Sequence, residues 1–148
     1  MFVVAVMRYL AERIPSLTYD PTGATGNVFL GNMPSTPDEA LVVDPYGGVR
    51  EATRQPTSLP LLQFIARGPE FDPRPPLRLL TTVHDELAGL DLVSLADGDG
   101  NEYRVISCAP VQSESFPLGQ DDNRRFERSQ SFGFRVHAPT VHRPAITA

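Results

Sequence analysis

Several stretches of this chain carry side chains that could do chemistry. Asp97-Gly98-Asp99-Gly100-Asn101-Glu102 sets carboxylates close together, like a fragment of a calcium loop. A full EF-hand loop spreads its ligands over about twelve residues, closes on a glutamate and is flanked by helices. Here the flanks read as strands, so a glycine-rich hairpin turn is the better reading. His84-Asp85-Glu86 lies in a helical pattern. Consecutive helical residues point to different faces, so the three cannot converge on one ion. His137 and His142 have no partner at ligand spacing. Cys108 sits between Ser107 and Ala109 in a predicted strand and reads as a small buried hydrophobe. Gly23-Ala24-Thr25-Gly26 lacks the lysine and the following helix of a phosphate loop. None of these points to catalysis, a metal or a cofactor. The densest charge cluster is Arg124, Arg125 and Arg128 beside Asp121 and Asp122. It reads either as a solvated edge or as a charged contact with another subunit.

The elements that position these groups follow from periodicity. Leu62, Phe64 and Ala66 alternate with Gln63, Ile65 and Arg67, the pattern of a half-buried strand. A proline-rich loop over 69–76 follows. Then Leu77, Leu80, Val83, His84, Leu87 and Leu90 step by threes and fours, which predicts a helix over 77–90 with its stripe against a sheet. Phe2, Val3, Val6, Leu10 and Ile14 predict a first helix that ends at Pro15. Short strands are expected at 28–30 and 40–43, the second running into Asp44-Pro45-Tyr46-Gly47-Gly48, a strong turn signal. With the strand at 61–68 they form an antiparallel meander. Residues 50–58 read as polar connection. Strands at 91–96 and 102–111 flank the hairpin turn, 116–123 reads as a loop, and 125–137 as a long last strand. The organisation is a single α+β domain over 1–138, with two helices on a mostly antiparallel sheet, and a C-terminal tail over 139–148.

Composition narrows the function classes. A chain of 148 residues, 41% hydrophobic and 21% charged, can bury a core of its own. Its 15 prolines are about twice the usual share and mark long ordered connections. The net charge of −5 argues against a basic surface that reads DNA. One cysteine cannot form an intrachain disulfide. The apolar start, residues 1–7, is too short to span a bilayer, lacks a basic leader and makes a poor signal peptide. The expectation is an intracellular product with no membrane partner.

Three stretches in succession resemble the minor capsid and tail terminator proteins of bacteriophages with long, non-contractile tails. The first is Val28-Phe29-Leu30-Gly31-Asn32-Met33-Pro34, then Pro37-Asp38-Glu39-Ala40-Leu41-Val42-Val43 and Tyr46-Gly47-Gly48. The second is Leu61-Leu62-Gln63-Phe64-Ile65-Ala66-Arg67-Gly68, similar to the family's strand that feeds a long helix. The third is Leu118-Gly119-Gln120-Asp121 with Arg125-Phe126-Glu127-Arg128-Ser129 and Phe132, similar to the family's turn and last strand. The likeness runs from about residue 5 to residue 136. One departure is Gly133, since glycine weakens a strand interior and marks a bulge or a close contact.

The resemblance implies a structural virion protein and not an enzyme. Such a protein forms a ring, most often of six subunits, at the head-proximal end of the tail tube. It stops tube polymerisation and offers the joining surface for the head connector. Partners would be further copies of the chain, the tail tube protein and the connector or stopper protein. DNA would pass through the channel without specific binding, and assembly would occur in the host cytoplasm. Asp121, Asp122, Arg124, Arg125 and Arg128 are the expected subunit contact, with Tyr46, Gly47, Gly48 and Arg67 as further interface positions. The rival readings are a head-completion or stopper protein of the neck and a small ligand-binding α+β domain.

Overall fold

The computed structural model describes residues 1–52 and 54–145; residue 53 of the expected 50–58 connection and residues 146–148 of the expected C-terminal tail lie outside it. Its frame is β8 (Arg125–His137), a strand of 13 residues. On one side β8 pairs antiparallel with β4 (Pro60–Glu70) and then with the two-residue β3 (Thr57–Ser58). On the other it pairs with β7 (Phe116–Gln120) and then β6 (Glu102–Pro110). The full order is β1-β2-β4-β8-β6-β5, where β1 is Val28–Leu30, β2 is Ala40–Gly48 and β5 is Asp91–Ala96. α1 (Phe2–Arg13) and α2 (Arg74–Leu87) complete an α+β fold of two helices on a curled, mostly antiparallel sheet.

Alternation decides which side chains meet the helices. Leu62, Phe64 and Ala66 of β4 and Phe132, Phe134 and Val136 of β8 are buried in one cluster with Val6, Leu10, Leu80, Val83 and Leu87. The rings of Phe64 and Phe132 meet edge-on at 5.3 Å, and Phe2 meets Phe134 at 5.2 Å. Side chains of this size give up about 1.5–3 kcal/mol each if left in water, which is what seats the helices. α1 touches β5 and β6 as well as β1 and β2, so the curled sheet brings both of its edges to one helix.

Several expectations are corrected. β1 runs parallel to β2, with Val28 opposite Leu41, so the first strands are not a meander. The 31–39 connection carries the chain back along the short β1 to start β2 in the same direction. Asp44-Pro45-Tyr46-Gly47-Gly48 is not a turn but the continuation of β2, opposite β4 down to Gly48 and Pro60. β1 covers β2 only as far as Val43, so Pro45 stands on an edge where its missing N–H breaks no ladder bond, and the register shift between Pro45 and Gly48 absorbs the irregularity. Residues 116–120 are a strand and not a loop: Pro117 and Gly119 are tolerated at a register shift on this exposed edge. α2 starts at Arg74, before the expected 77, because Pro75 and Pro76 fit a first helical turn whose N–H groups have no partner. It stops at Leu87, Gly89 follows at φ 83°, and Leu77 is exposed, off the buried stripe. At Gly133 the pairing has no shift; the close neighbour is Leu61, whose methyl would lie 3.3 Å from an added Cβ.

Gly68 sets how closely α2 approaches β4. A Cβ there would stand 2.7 Å from Cδ of Pro76 and 3.3 Å from Cβ of Pro75, both in rigid rings. Gly68→Ala is therefore expected to cost about 1–3 kcal/mol of stability, the usual range for overpacking. Urea unfolding measures this, and a change inside about 0.5 kcal/mol would mean that the helix shifts freely.

Candidate functional site

At the end of the sheet where β4 finishes and β8 begins, two arginines point into the protein. Arg67 is opposite Glu127, and Arg125 is opposite Glu70 after a register shift. Both are buried, at 3% and 4% exposure. Arg67 donates from Nη1 to the carbonyl of Pro34 (2.6 Å), from Nη2 to Pro37 (2.5 Å) and from Nε to Asp38 (3.0 Å). Arg125 donates from Nη1 to the carbonyl of Ser35 (2.7 Å) and to Asp38 Oδ1 (3.0 Å), and from Nε to Asp121 Oδ2 (2.8 Å). A guanidinium is a planar fork of five donors, so two of them can hold a whole loop by its carbonyls. The 34–38 loop is thereby clamped onto the sheet.

The electrostatics follow from this burial. Desolvation, and then the repulsion of Arg125, pulls the pKa of Arg67 below its usual value. Burial also works against the charge of Arg125, but its bonds to Asp38 and Asp121 outweigh it and hold that pKa above the usual one. Burial would raise Asp121, yet the amides of Arg125 and Asn123 and the Arg125 guanidinium hold it below the ordinary carboxylate range. Glu127 goes the other way: burial, and then the nearby Asp121, raises it despite Arg67 and Arg125.

The sequence-nominated cluster therefore divides. Arg125 and Asp121 turn inward, and Arg128 donates from Nε and Nη2 to the hydroxyl and carbonyl of Ser115 (2.8 and 2.6 Å). Arg67, also expected at an interface, is buried and bonds the 34–38 loop, as Arg125 does. Only Asp122 and Arg124 of the cluster are exposed. Arg124 adopts φ 61° and Phe71 adopts φ 65°, both left-handed. The Phe71 amide donates to the Arg124 carbonyl (3.1 Å), and the guanidinium lies 5.7 Å from the phenyl centroid. Each such non-glycine residue costs about 1–2 kcal/mol. The result is a phenylalanine 63% exposed beside a cation that has no ion-pair partner among the described residues. Sequence reasoning missed Phe71, because nothing in the residue order signals a left-handed phenylalanine.

The opposite end of β4 carries the other nominated residues. Tyr46 exposes its ring while its hydroxyl donates to Ser131 Oγ across two strands (2.9 Å). Gly47 takes φ 81°, and Gly48 lies so close to the Leu59 carbonyl that no side chain fits. Arg143 of the tail donates to the carbonyls of Ala52, Gln55 and Thr57 (3.2–3.4 Å) and to Glu51 (3.0 Å), which ties the 51–57 segment down.

The residues first weighed for chemistry have internal work. Asp97, its side chain inaccessible, accepts from the Met1 amine (2.7 Å) and from the amides of Asp99 and Asn101, and these bonds hold it well below the carboxylate range. His84 packs near Phe132 with its Nδ1 3.9 Å from the exposed Asp85 carboxylate, and Glu86 turns away to pair with Arg13 on α1 (3.0 Å), so the three do not converge on one point. Burial pushes the Cys108 thiol up to about 12, which leaves it protonated and inert at neutral pH. Among the described residues no group of three His, Cys, Asp or Glu side chains is placed to hold a metal, and no helix is long and apolar enough to cross a membrane.

Loops clamped from within and exposed apolar side chains thus lie at the two ends of the sheet. The family model described as "Bacteriophage tail terminator protein" matches residues 12–137, and the chain belongs to that family. Membership makes it a component of a phage virion. No curated protein matches the sequence.

Glu127 gives the clamp a pH signature. Its folded pKa lies above the unfolded one, so its contribution to stability is complete below the ordinary carboxylate range and is lost as pH rises through the folded value. Glu127→Gln should therefore melt higher than the parent at pH 7, with the gap closing near pH 4. Thermal melts at both values check this, and a variant that melts lower at pH 7 would show that Glu127 serves as a net favourable partner of the arginines.

Proposed function

We propose that the chain terminates a phage tail by forming a closed ring, most often six copies in proteins of this kind, on the head-proximal end of the tail tube. The observation that carries this reading, beyond family membership, is the separation of two loop sets along β4. The 31–39 connection and the turns at 71–73 and 121–124 lie where β4 ends, and the 44–58 segment with the tail lies where it begins. An 11-residue strand puts roughly 30 Å between them. A subunit that must meet a tube on one face and a head connector on the other needs two distant contact surfaces of this sort.

The ring itself would close by head-to-tail contact, each copy presenting one patch to a different patch on the next. Among the described residues, the outer edges of β1 and β5 carry no further strand. The net charge of −5 suits a channel that DNA crosses without sticking, because like charge keeps phosphate from the wall. The chain's part in all this is association, and we read it as non-enzymatic.

Light scattering of the purified chain, alone and with tail tube protein, tests the reading. The expected result is a closed ring, in solution or on tube ends, together with tubes that stop growing once the chain is added. A monomer that ignores tubes but binds the portal-side connector would instead identify a stopper of the neck.

A further inference from the structure

The ring reading leaves open which patches meet, and the surface offers one complementary pair. The first patch is the Phe71–Arg124 knob. Its phenylalanine is 63% exposed, and the Arg124 guanidinium has no hydrogen-bond or ion-pair partner among the described residues. Left-handed backbone at both positions aims the pair outward from the end of the β4–β8 ladder. Exposed aromatic and arginine side chains together are the usual anchors of protein interfaces.

The second patch is an open groove of about 460 Å³ between the start of α1, the 19–23 loop and the free edge of β1. Val4, Met7, Tyr19, Phe29 and Leu30 line it, and Leu30 is 42% exposed. Asp20 stands among its lining residues. The amides and hydroxyls of Thr22 and Thr25 hold that carboxylate at a pKa of about 2, so it is ionised throughout the working range. No cation pairs with it among the described residues.

We infer that Phe71 of one copy seats in the α1–β1 groove of the next, with Arg124 set against Asp20. The inference rests on the ring reading and supplies its contact. An apolar knob beside an unneutralised cation matches an apolar groove beside an unneutralised anion. The two patches sit on different parts of one chain, β4–β8 and α1–β1, as head-to-tail closure requires.

Light scattering of the full chain, with and without tail tube protein, reads the outcome for Phe71→Gly, Arg124→Asn, Asp20→Asn and the double variant Arg124→Asn/Asp20→Asn. Glycine adopts the Phe71 backbone freely and asparagine tolerates a left-handed position, so the monomers should stay folded, as circular dichroism would verify. The Thr22 and Thr25 amides donate to different oxygens of Asp20, so asparagine at 20 keeps an acceptor for one of them and turns its NH2 to a threonine hydroxyl. Phe71→Gly should weaken association at least about tenfold, as loss of an anchor does. Each charge-removing variant should weaken it less, and the double variant should lose no more than the worse single one, the mark of a direct pair. Folded variants that close rings as the parent does would overturn this contact and leave the ring reading standing. So would a Phe71→Gly ring that has lost only its grip on tubes. A parent chain that never closes a ring, with or without tubes, would overturn the ring reading and this contact with it.

Discussion

Every residue of β8 from Arg125 to His137 has a register partner in β3, β4, β6 or β7, and many have one on both sides. A strand enclosed in this way must satisfy its two faces differently along its length. Toward the helices Phe132, Phe134 and Val136 are apolar, and then the row turns polar at Gln130 and Arg128. The 112–115 segment meets that polar half. Gln130 donates to the Gln112 carbonyl, and Arg128 to Ser115. A strand of this length therefore organises a helical layer at one end and a loop layer at the other, and among the described residues no buried side-chain nitrogen or oxygen is left unpaired.

The arginine clamp solves a related difficulty. The parallel β1–β2 pair needs a connection that returns along the sheet, and the carbonyls of that loop need donors to hold it there. Arg67 and Arg125 satisfy the carbonyls of Pro34, Ser35, Pro37 and Asp38. Burying two like charges side by side is costly, and Asp38, Asp121 and Glu127 offset the repulsion. Arginine suits the task better than lysine because its donors are fixed in a plane and can each take a separate carbonyl.

This arrangement frees the outer residues of the same turns for contact. Asp121 and Arg125 fasten the turn, which leaves Asp122 and Arg124 outside it. At the far end Arg143 fastens the 51–57 segment, while Tyr46 and Val49 remain exposed. Loops already held by hydrogen bonds have less conformational entropy to lose in any association.

Much of this was legible in residue order. The alternation of Leu62, Phe64 and Ala66, the stripe of Leu80, Val83 and Leu87, and the bounds of β1, β5 and β8 follow from local periodicity, which short-range backbone geometry enforces. So does the burial of Cys108. The direction of β1 did not follow, because a three-residue strand carries no signal of its partner's sense. Nor did the strand character of 44–48 and 116–120, where proline and glycine read as turns until neighbouring edges are known. The roles of Arg67, Arg125 and Phe71 were hidden for the same reason: each depends on segments distant in the chain, the 34–38 loop for the arginines and the 121–124 turn for Phe71. Sequence alone determined the two helices, the strands with clear alternation and the faces of them that seek the core. Tertiary structure alone decided which charges are bonded inside and which face solvent, because that choice depends on which carbonyls and carboxylates the fold brings within hydrogen-bond reach.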